Sequence, residues 1–198
     1  MKKGVFLIAL MISLISKIGF AGEMYEEEEG IAGWLHGVYV QPGVEVITPL
    51  NDDLDTSVYL GAKVGYELNE WWSIFVETGW AELDLSGGTG DVTVVPLLFN
   101  VRYNFFPDVY IFDYYVFGGI GYSFNDINFI PDPTVEVEDD FAGQIGGGAE
   151  YWITNSFSVY LNARFFFSDP NLNGVVLGRD DLDLSSFLLG GGIRWRFN

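Results

Sequence analysis

The sequence has no cysteine and a single histidine, His36, among its 198 residues. Disulfide bridges and thiolate metal sites are therefore excluded, as is a metal site built on several imidazoles. Basic residues are also scarce, with nine lysines and arginines against 28 aspartates and glutamates. The formal charge of −19 excludes nucleic acid as a partner, because its phosphate backbone repels an acidic protein.

Long hydrophobic runs are absent except at the N-terminus. There, two lysines precede GVFLIALMISLIS, and the small residues Gly19 and Ala21 follow it. A short basic segment, an apolar core and small residues before a cleavage point are typical of a secretory signal peptide. We therefore predict a signal peptide at 1–21, an acidic leader at 22–33 and one domain at 34–198. The alternative is a membrane anchor, but the run is short for a membrane span and is interrupted by Ser13, Ser16 and Lys17.

What the sequence does contain is aromatic residues and glycine, with 17 Phe, 11 Tyr, six Trp and 25 Gly. Apolar side chains alternate with small or polar ones, and this period of two is typical of β-strands. The segment FSVYLNARFFF shows the alternation most clearly. The same pattern predicts eight strands, at 34–47, 57–69, 71–83, 92–104, 113–125, 140–152, 156–167 and 185–197. No later segment keeps a helical period, so the predicted fold class is all-β.

The connections between the predicted strands alternate in length. They are short after the second, fourth and sixth strands, and longer and acidic after the first, third, fifth and seventh. In an antiparallel up-and-down arrangement, successive connections lie at opposite ends. One end of the domain therefore has tight turns, and the other has long acidic loops.

Two architectures fit this pattern, a soluble lipocalin-like barrel and a transmembrane barrel with its apolar face outward. The polar face has too few charges for a water-exposed surface, and the apolar face of strands two to eight has no Lys, Arg or Asp in its middle. Aromatic residues cluster near the short turns, as at a membrane interface. We therefore predict an eight-stranded antiparallel up-and-down transmembrane β-barrel. His36 and Pro42 fall on the apolar face of strand one, where neither is typical. His36 lies near the periplasmic rim, and a local bulge would accommodate Pro42.

Several charged residues fall on the inward face. They are Glu45, Lys63, Glu67, Glu77, Arg102, Glu150, Arg164 and Arg194. Since buried charges persist only when they are paired, we interpret them as an ion-pair network that fills the lumen. A narrow, gated water path is the alternative, because separable pairs would open one.

Catalysis and metal binding have weaker support. His36 is followed by Gly37 and Val38, so the His-x-Ser pattern of lipid A deacylases is missing, and we predict no enzyme activity. The loop carboxylates are candidate ligands for Ca²⁺ or Mg²⁺, since both ions prefer oxygen ligands. The set comprises Asp132, Glu136, Glu138, Asp139, Asp140, Asp180, Asp181 and Asp183. The alternative is a solvated acidic surface, and no other cofactor is predicted.

The C-terminal strand carries a specific resemblance. In FLLGGGIRWRFN, Leu189, Ile193, Trp195 and Phe197 share one face, with Asn198 after the final aromatic. This ending resembles the terminal signal that the barrel assembly machinery reads in bacterial outer-membrane proteins. Together with VPLLFNVRYNF, YVFGGIGYSF and GQIGGGAEYWITNSFSVYLNARF, it is similar to the OmpA-like or opacity-protein-like family of eight-stranded barrels.

The resemblance implies a non-enzymatic protein of the outer membrane with both termini in the periplasm. Its implied partners are outer-membrane lipid, lipopolysaccharide and the assembly machinery. The implied role is envelope-structural or adhesion-type, through the acidic outer loops. A narrow pore or small-solute conduit is the alternative function.

Overall fold

The computed structural model describes residues 37–86, 90–105, 112–129, 136–176, 179–181 and 183–197. The predicted signal peptide and leader, His36, Asp132 and Asn198 lie outside these ranges. No helix in the described ranges is long and apolar enough to cross a membrane.

Eight long strands form a closed antiparallel barrel, which confirms the predicted fold. They are β1 (Val38–Pro49), β2 (Ser57–Glu67), β3 (Trp72–Asp84), β4 (Gly90–Phe105), β5 (Phe112–Phe129), β7 (Asp140–Trp152), β8 (Phe157–Ser168) and β11 (Ser186–Arg196). Each strand pairs with its neighbour along the chain of long strands, and β11 closes the barrel on β1. Closure leaves no unpaired edge in the barrel.

Three short strands, which the alternation did not predict, lie in the long loops. They are β6 (Glu136–Val137), β9 (Asn171–Val176) and β10 (Arg179–Asp181), paired in the order β10-β9-β6. This small sheet joins the loop after β5 to the loop after β8. β6 and β10 have only two and three residues, too few for a period of two to be recognised, and the NLNGVV segment of β9 keeps no sustained alternation.

The outward face of the barrel is apolar, as the alternation predicts. On β8, for example, Leu161 is 69% exposed while its neighbours Tyr160 and Asn162 are buried in the lumen. The outward residues of this strand run from Phe157 to Phe167. At about 3.3 Å per residue and a tilt of about 40°, they span a band about 25 Å tall.

Aromatic side chains lie at the short-turn end of this band. The ring of Tyr103 is 4.8 Å from that of Trp72 and 5.1 Å from that of Phe105. On the other side of the barrel, the rings of Phe157 and Trp195 are 6.2 Å apart. These rings form an amphipathic belt at the short-turn end.

The predicted bulge at Pro42 is absent. Val40 pairs with Trp195 and Gly43 with Gly192, so equal numbers of residues separate the two pairs on β1 and β11. Pairing with β2 is also continuous through Pro42. The strand accommodates Pro42 without an inserted residue because the proline ring points outward and is exposed. Only the missing backbone N–H of Pro42 interrupts the hydrogen-bond ladder with β11.

The polarity of the two faces inverts near the loop end of β3, β4 and β5. Glu82 and Asp84 are exposed on the outside of β3, whereas Ala81 and Leu83 are fully buried inside. The pattern repeats on the neighbouring strands, with Val92, Val94 and Ile127 inside and Asp91, Asp126 and Asn128 outside. The expectation of a polar interior is therefore wrong for the loop half of the barrel. These strands extend beyond the apolar band, where the outside faces water and apolar side chains turn inward.

Candidate functional site

The lumen contains two groups of charged residues at different heights. The group nearest the short turns, here called the rim cluster, consists of Glu67, Arg102, Glu150, Arg194 and Arg196. Arg102 donates to Glu150 at 2.5 Å, and Arg194 bridges Glu150 at 3.1 Å and Glu67 at 2.5 Å. Glu67 also pairs with Arg196 at 3.2 Å. Each of the five charges therefore has an opposite partner.

The second group, here called the central cluster, consists of Glu45, Lys63, Glu77 and Arg164. Arg164 donates to Glu45 at 2.7 Å and also bonds to Glu77. Lys63 lies opposite Glu77 on adjacent strands, with 3.9 Å between the ammonium and the carboxylate. Both carboxylates are almost completely buried.

Neutral polar side chains complete the hydrogen bonding of the central cluster. Gln144 donates to Glu77 at 2.9 Å and to the amide oxygen of Asn100 at 2.7 Å. Asn162 donates to Glu45 at 3.2 Å. In the rim cluster, the hydroxyl of Ser158 donates to Glu150. These contacts reduce the cost of placing charge inside the barrel.

Aromatic rings stack against the arginines, a feature that the sequence did not single out. The guanidinium of Arg102 lies 3.7 Å from the ring centre of Tyr115, and that of Arg194 lies 3.7 Å from the ring centre of Tyr39. The sequence does place inward tyrosines at the same height in the barrel as inward arginines, and this pattern could have predicted the stacking. Arg196 was also left out of the predicted network, although it shares the inward parity of Arg194 and bonds to Glu67.

A small cavity lies between the two clusters, with a volume of about 10 Å³. Its lining comprises Gln41, Lys63, Phe75, Arg102, Tyr115 and Phe117. Lys63 is only 4% exposed, and its ammonium faces the rings of Phe75, Phe117 and Tyr160. The aromatic rings and the charged clusters therefore fill the short-turn half of the lumen in layers.

The loop half of the lumen is filled by an apolar cluster, here called the loop-end core. Its members are Ile47, Leu54, Tyr59, Ala81, Leu83, Leu85, Val92, Val94, Leu98, Ile127, Val137, Ala142, Phe166, Leu184 and Leu188. Each of the four long connections supplies one member: Leu54, Leu85, Val137 and Leu184. Their burial at 8% exposure or less closes the barrel at this end.

Three described acidic residues at the loop end accept hydrogen bonds from backbone N–H groups. Asp139 accepts a hydrogen bond from the N–H of Asn125 at 3.2 Å, Asp140 from that of Asp169 at 3.1 Å, and Asp183 from that of Ser185 at 2.8 Å. In the described part of the chain, no group of three or more Asp, Glu, His or Cys residues could hold a metal ion. Asp132 lies outside the described residues, and the side chains of Glu136, Asp180 and Asp181 are not described. The divalent-cation site stays a prediction.

The family of this barrel follows from its sequence as well as its geometry. The model of the outer membrane protein beta-barrel domain matches residues 18–197. The chain belongs to this family. It is therefore an outer-membrane β-barrel protein, and the apolar band is its lipid-facing surface.

Solved outer-membrane barrels have the same fold. Neisserial surface protein A is 14% identical, with a TM-score of 0.64 over 81% of this chain and 97% of that one. OprG of Pseudomonas aeruginosa is also 14% identical, with a TM-score of 0.59 over 82% and 97%. Outer membrane protein W of E. coli is 16% identical, with a TM-score of 0.51 over 82% and 98%. No curated protein sequence matches significantly.

The predicted C-terminal assembly signal lies on the lipid-facing side of this outer-membrane barrel. Leu189, Ile193 and Trp195 are 56%, 44% and 51% exposed on the outside of β11. Phe197 is half-buried, and its backbone exchanges hydrogen bonds with Gly37 and Val38. Leu189, Ile193 and Trp195 therefore lie on the strand that closes the barrel, and Phe197 directly follows it.

Charge is strongly segregated in the outer-membrane barrel. Of the six basic residues after position 21, five point into the lumen: Lys63, Arg102, Arg164, Arg194 and Arg196. Among the described residues, the carboxylates that pair with them there are those of Glu45, Glu67, Glu77 and Glu150. The other acidic side chains whose burial is described are at least partly exposed, so the described exterior is strongly negative.

Proposed function

We propose that this protein is a closed, non-enzymatic barrel that acts through its acidic outer surface, in envelope structure or surface interaction. The loop-end core carries the proposal. Four loops each bury one apolar side chain in it, so the lumen is sealed by the folding of the loops themselves. Opening this end would expose a continuous apolar cluster to water, which is unfavourable.

The ion pairs in the lumen also favour an interior that stabilises the barrel over one that conducts solutes. The two carboxylates of the central cluster accept hydrogen bonds from Arg164, Gln144 and Asn162, which lie on β7 and β8. Neither strand is a neighbour of β1 or β3, which carry Glu45 and Glu77. A conducting path would have to break several of these contacts together. The ion-pair network therefore supports a mechanical role in bracing the barrel.

Conductance in a planar lipid bilayer tests this proposal. We expect the purified protein, shown to be folded by a gel shift between unheated and boiled samples, to give no discrete current steps. A large porin inserted into the same bilayers serves as the positive control. Reproducible steps from the folded protein would contradict the closed barrel and support the narrow conduit instead.

The acidic exterior suggests which partner the surface would engage. We propose that loop carboxylates share the divalent cations that bridge lipopolysaccharide phosphates, since carboxylate oxygens are preferred Ca²⁺ and Mg²⁺ ligands. Calcium in the millimolar range should then raise the melting temperature of the folded protein. Sodium chloride at equal ionic strength controls for general screening. An unchanged melting temperature would leave the loops as a solvated, aggregation-resistant surface.

Placement in the cell is part of the same proposal. We propose that both termini are periplasmic, that the long loops face outward, and that the barrel assembly machinery recognises the β11 ending. The aromatic ring pairs at the short-turn end and the inverted polarity of β3–β5 at the loop end support this orientation. The acidic strand ends would then stand in the lipopolysaccharide headgroup region.

A further inference from the structure

The seam between β1 and β11 differs from the other seams of the barrel. Every other pair of neighbouring barrel strands is consecutive among the eight long strands, so a connection of the chain joins the two strands at one end. β1 and β11 are the first and last of these strands, and pairing alone holds them together. This seam can therefore separate along its whole length without any connection holding one end.

The contacts that β1 and β11 make with each other are weakened near the middle of the seam. Pro42 on β1 has no backbone N–H, so the ladder lacks a hydrogen bond there. Just beyond it, Gly43 lies opposite Gly192 of β11. Glu45 then lies opposite Gly190. Both β11 glycines face the lumen, so β11 has no inward side chain at these two positions to pack against β1.

A tyrosine of β8 crosses the glycines of β11 and binds β1 instead. Tyr160 lies opposite Gly192, and its hydroxyl donates to the backbone carbonyl of Pro42 at 3.3 Å. A Cβ on Gly43 would overlap this hydroxyl, so the tyrosine fits only because a glycine lies beneath it. The side chain therefore reaches from β8 over β11 to the far side of the seam.

The next two inward residues of β8 make the same crossing. Arg164 donates to one carboxylate oxygen of Glu45 at 2.7 Å, and Asn162 donates to the other at 3.2 Å. Asn162 lies opposite Gly190, the second of the inward β11 glycines. The side chains of Tyr160, Asn162, Arg164 and Glu45 are each at most 3% exposed. Water therefore competes little for these bonds, and those to the carboxylate are of the stronger, charge-assisted kind.

We propose that Tyr160, Asn162 and Arg164 form a strap, here called the β8 strap, that holds β1 closed against β11. The strap supplies from the next strand the contacts that Pro42 and the two glycines remove from the seam. Because it bonds to β1 over the top of β11, it resists the separation of β1 from the rest of the wall. Loosening the strap makes the seam open more often and leaves the opposite wall of the barrel unchanged.

Hydrogen exchange measured by mass spectrometry tests the strap, since it reports the opening of individual strands in a folded protein. The full protein is refolded into detergent, and Tyr160→Phe removes only the hydroxyl that binds Pro42. The amides of β1 and β11 should then exchange about fivefold faster, because one hydrogen bond across the seam is lost. The amides of β4, on the opposite wall, should exchange at the unmodified rate. Unchanged exchange in β1 would overturn the proposal.

Tyr115→Phe is the matched control. Tyr115 lies on β5, is 3% exposed like Tyr160, and has a hydroxyl without a partner among the described residues. This variant should leave the exchange of β1 unchanged. A similar acceleration in both variants would show that losing any lumen hydroxyl loosens the barrel, and would contradict the strap.

A disulfide across the seam distinguishes loss of closure from a general loss of stability. The chain has no cysteine, and Val46 of β1 lies opposite Leu189 of β11 on the outer face. Opposite Cα atoms on antiparallel strands are about 4.5–5.5 Å apart, within the range that a disulfide spans. With Val46→Cys and Leu189→Cys oxidised, Tyr160→Phe should no longer change the exchange of β1, and reduction should restore the fivefold effect. If Tyr160→Phe still accelerates exchange in the oxidised protein, Tyr160 does not act by closing the seam and the proposal is wrong.

Discussion

Arg164 and Arg102 both cross the lumen, but they hold their partners differently. Arg164 lies on β8 and bonds to Glu45 on β1 and Glu77 on β3, neither of which is a neighbouring strand. Arg102 lies on β4 and bonds to Glu150 on β7, which Arg194 and Ser158 also contact. Without Arg102, the charge of Glu150 is still balanced by Arg194 at 3.1 Å. Without Arg164, Glu45 loses its ion-pair partner and Glu77 keeps only Lys63 at 3.9 Å, so these negative charges are less well balanced.

We expect a graded loss of stability when the arginines are truncated one at a time. Arg164→Ala should lower the free energy of unfolding by about 3–5 kcal/mol, since it breaks a buried ion pair from one side. Arg102→Ala should cost less, about 2 kcal/mol, because Glu150 keeps two other partners. Equilibrium unfolding in urea measures both values.

Arg196→Ala is the control for this series. Arg196 is 27% exposed at the rim, so its pair with Glu67 is screened by solvent and should contribute less than about 1 kcal/mol. Equal urea midpoints for all three variants would show that the buried network does not stabilise the barrel.

Among the elements, β5 shows how closely adjacent strands and lumen side chains approach. A Cβ at Gly121, which faces the lumen, would collide with the carbonyl of Leu97 and lie 2.8 Å from Leu98 Cα. A Cβ at Gly118, which faces outward on the same strand, would have no atom nearer than the carbonyl of Gln144 at 3.5 Å. The two glycines therefore differ in whether a side chain fits.

Alanine substitutions at these two glycines should have opposite outcomes. Gly121→Ala should lower the unfolding free energy by about 1–3 kcal/mol, because the backbones of β4 and β5 must move apart. Gly118→Ala should fold normally. Heat-modified mobility on gels measures the folded fraction of each, and an equal yield for the two would contradict the close approach seen at Gly121.

β3 shows that one strand serves two environments. Apart from Thr78, its outward residues are apolar up to Trp80, and they are acidic from Glu82 onward. Its inward residues change from Glu77 to Ala81 and Leu83. The change in both faces occurs within a few residues. This inversion marks where the strand leaves the lipid-facing band. Beyond that point its outer face is in water and its inner face packs in the loop-end core.

At the scale of the whole molecule, the connections at one end of the barrel are long and acidic, and those at the other end are short turns. The absence of cysteine makes their orientation testable, since any introduced thiol is the only one present. Asp52→Cys places a thiol in the long loop after β1, and Glu70→Cys places one in the short turn after β2. Both positions are exposed.

We expect a membrane-impermeant maleimide to label Asp52→Cys on intact cells. Glu70→Cys should be labelled only after the outer membrane is permeabilised, because the proposed orientation places the short turns in the periplasm. Labelling efficiency is read from the mass of the purified protein. The reverse pattern would overturn the proposed topology.

Most of the fold could be predicted from the sequence because each barrel strand is a local pattern. The predicted strands agree with the observed ones to within four residues at every end, and 140–152 agrees at both. The bulge at Pro42 was wrong because an outward proline interrupts only one ladder. The β6, β9 and β10 strands were missed because their pairing depends on contacts between separate loops.

The candidate site could be predicted only in part. Parity placed eight charges in the lumen, and all eight point there, with Glu67 the most exposed at 21%. The stacking of tyrosines on Arg102 and Arg194 was not predicted, because only the charged residues of the inward face were considered. The loop-end core was not predicted because its four loop members are isolated apolar residues in acidic segments.

The sequence by itself determined the all-β class, the number of barrel strands and which side chains face outward, because a period of two is read within one strand. Only the tertiary structure decided which inward charges meet. Glu45 and Arg164 are separated by 119 positions and become partners through the tilt and closure of the barrel. The same closure gathers Leu54, Leu85, Val137 and Leu184 into one core and leaves a cation-lined cavity below it.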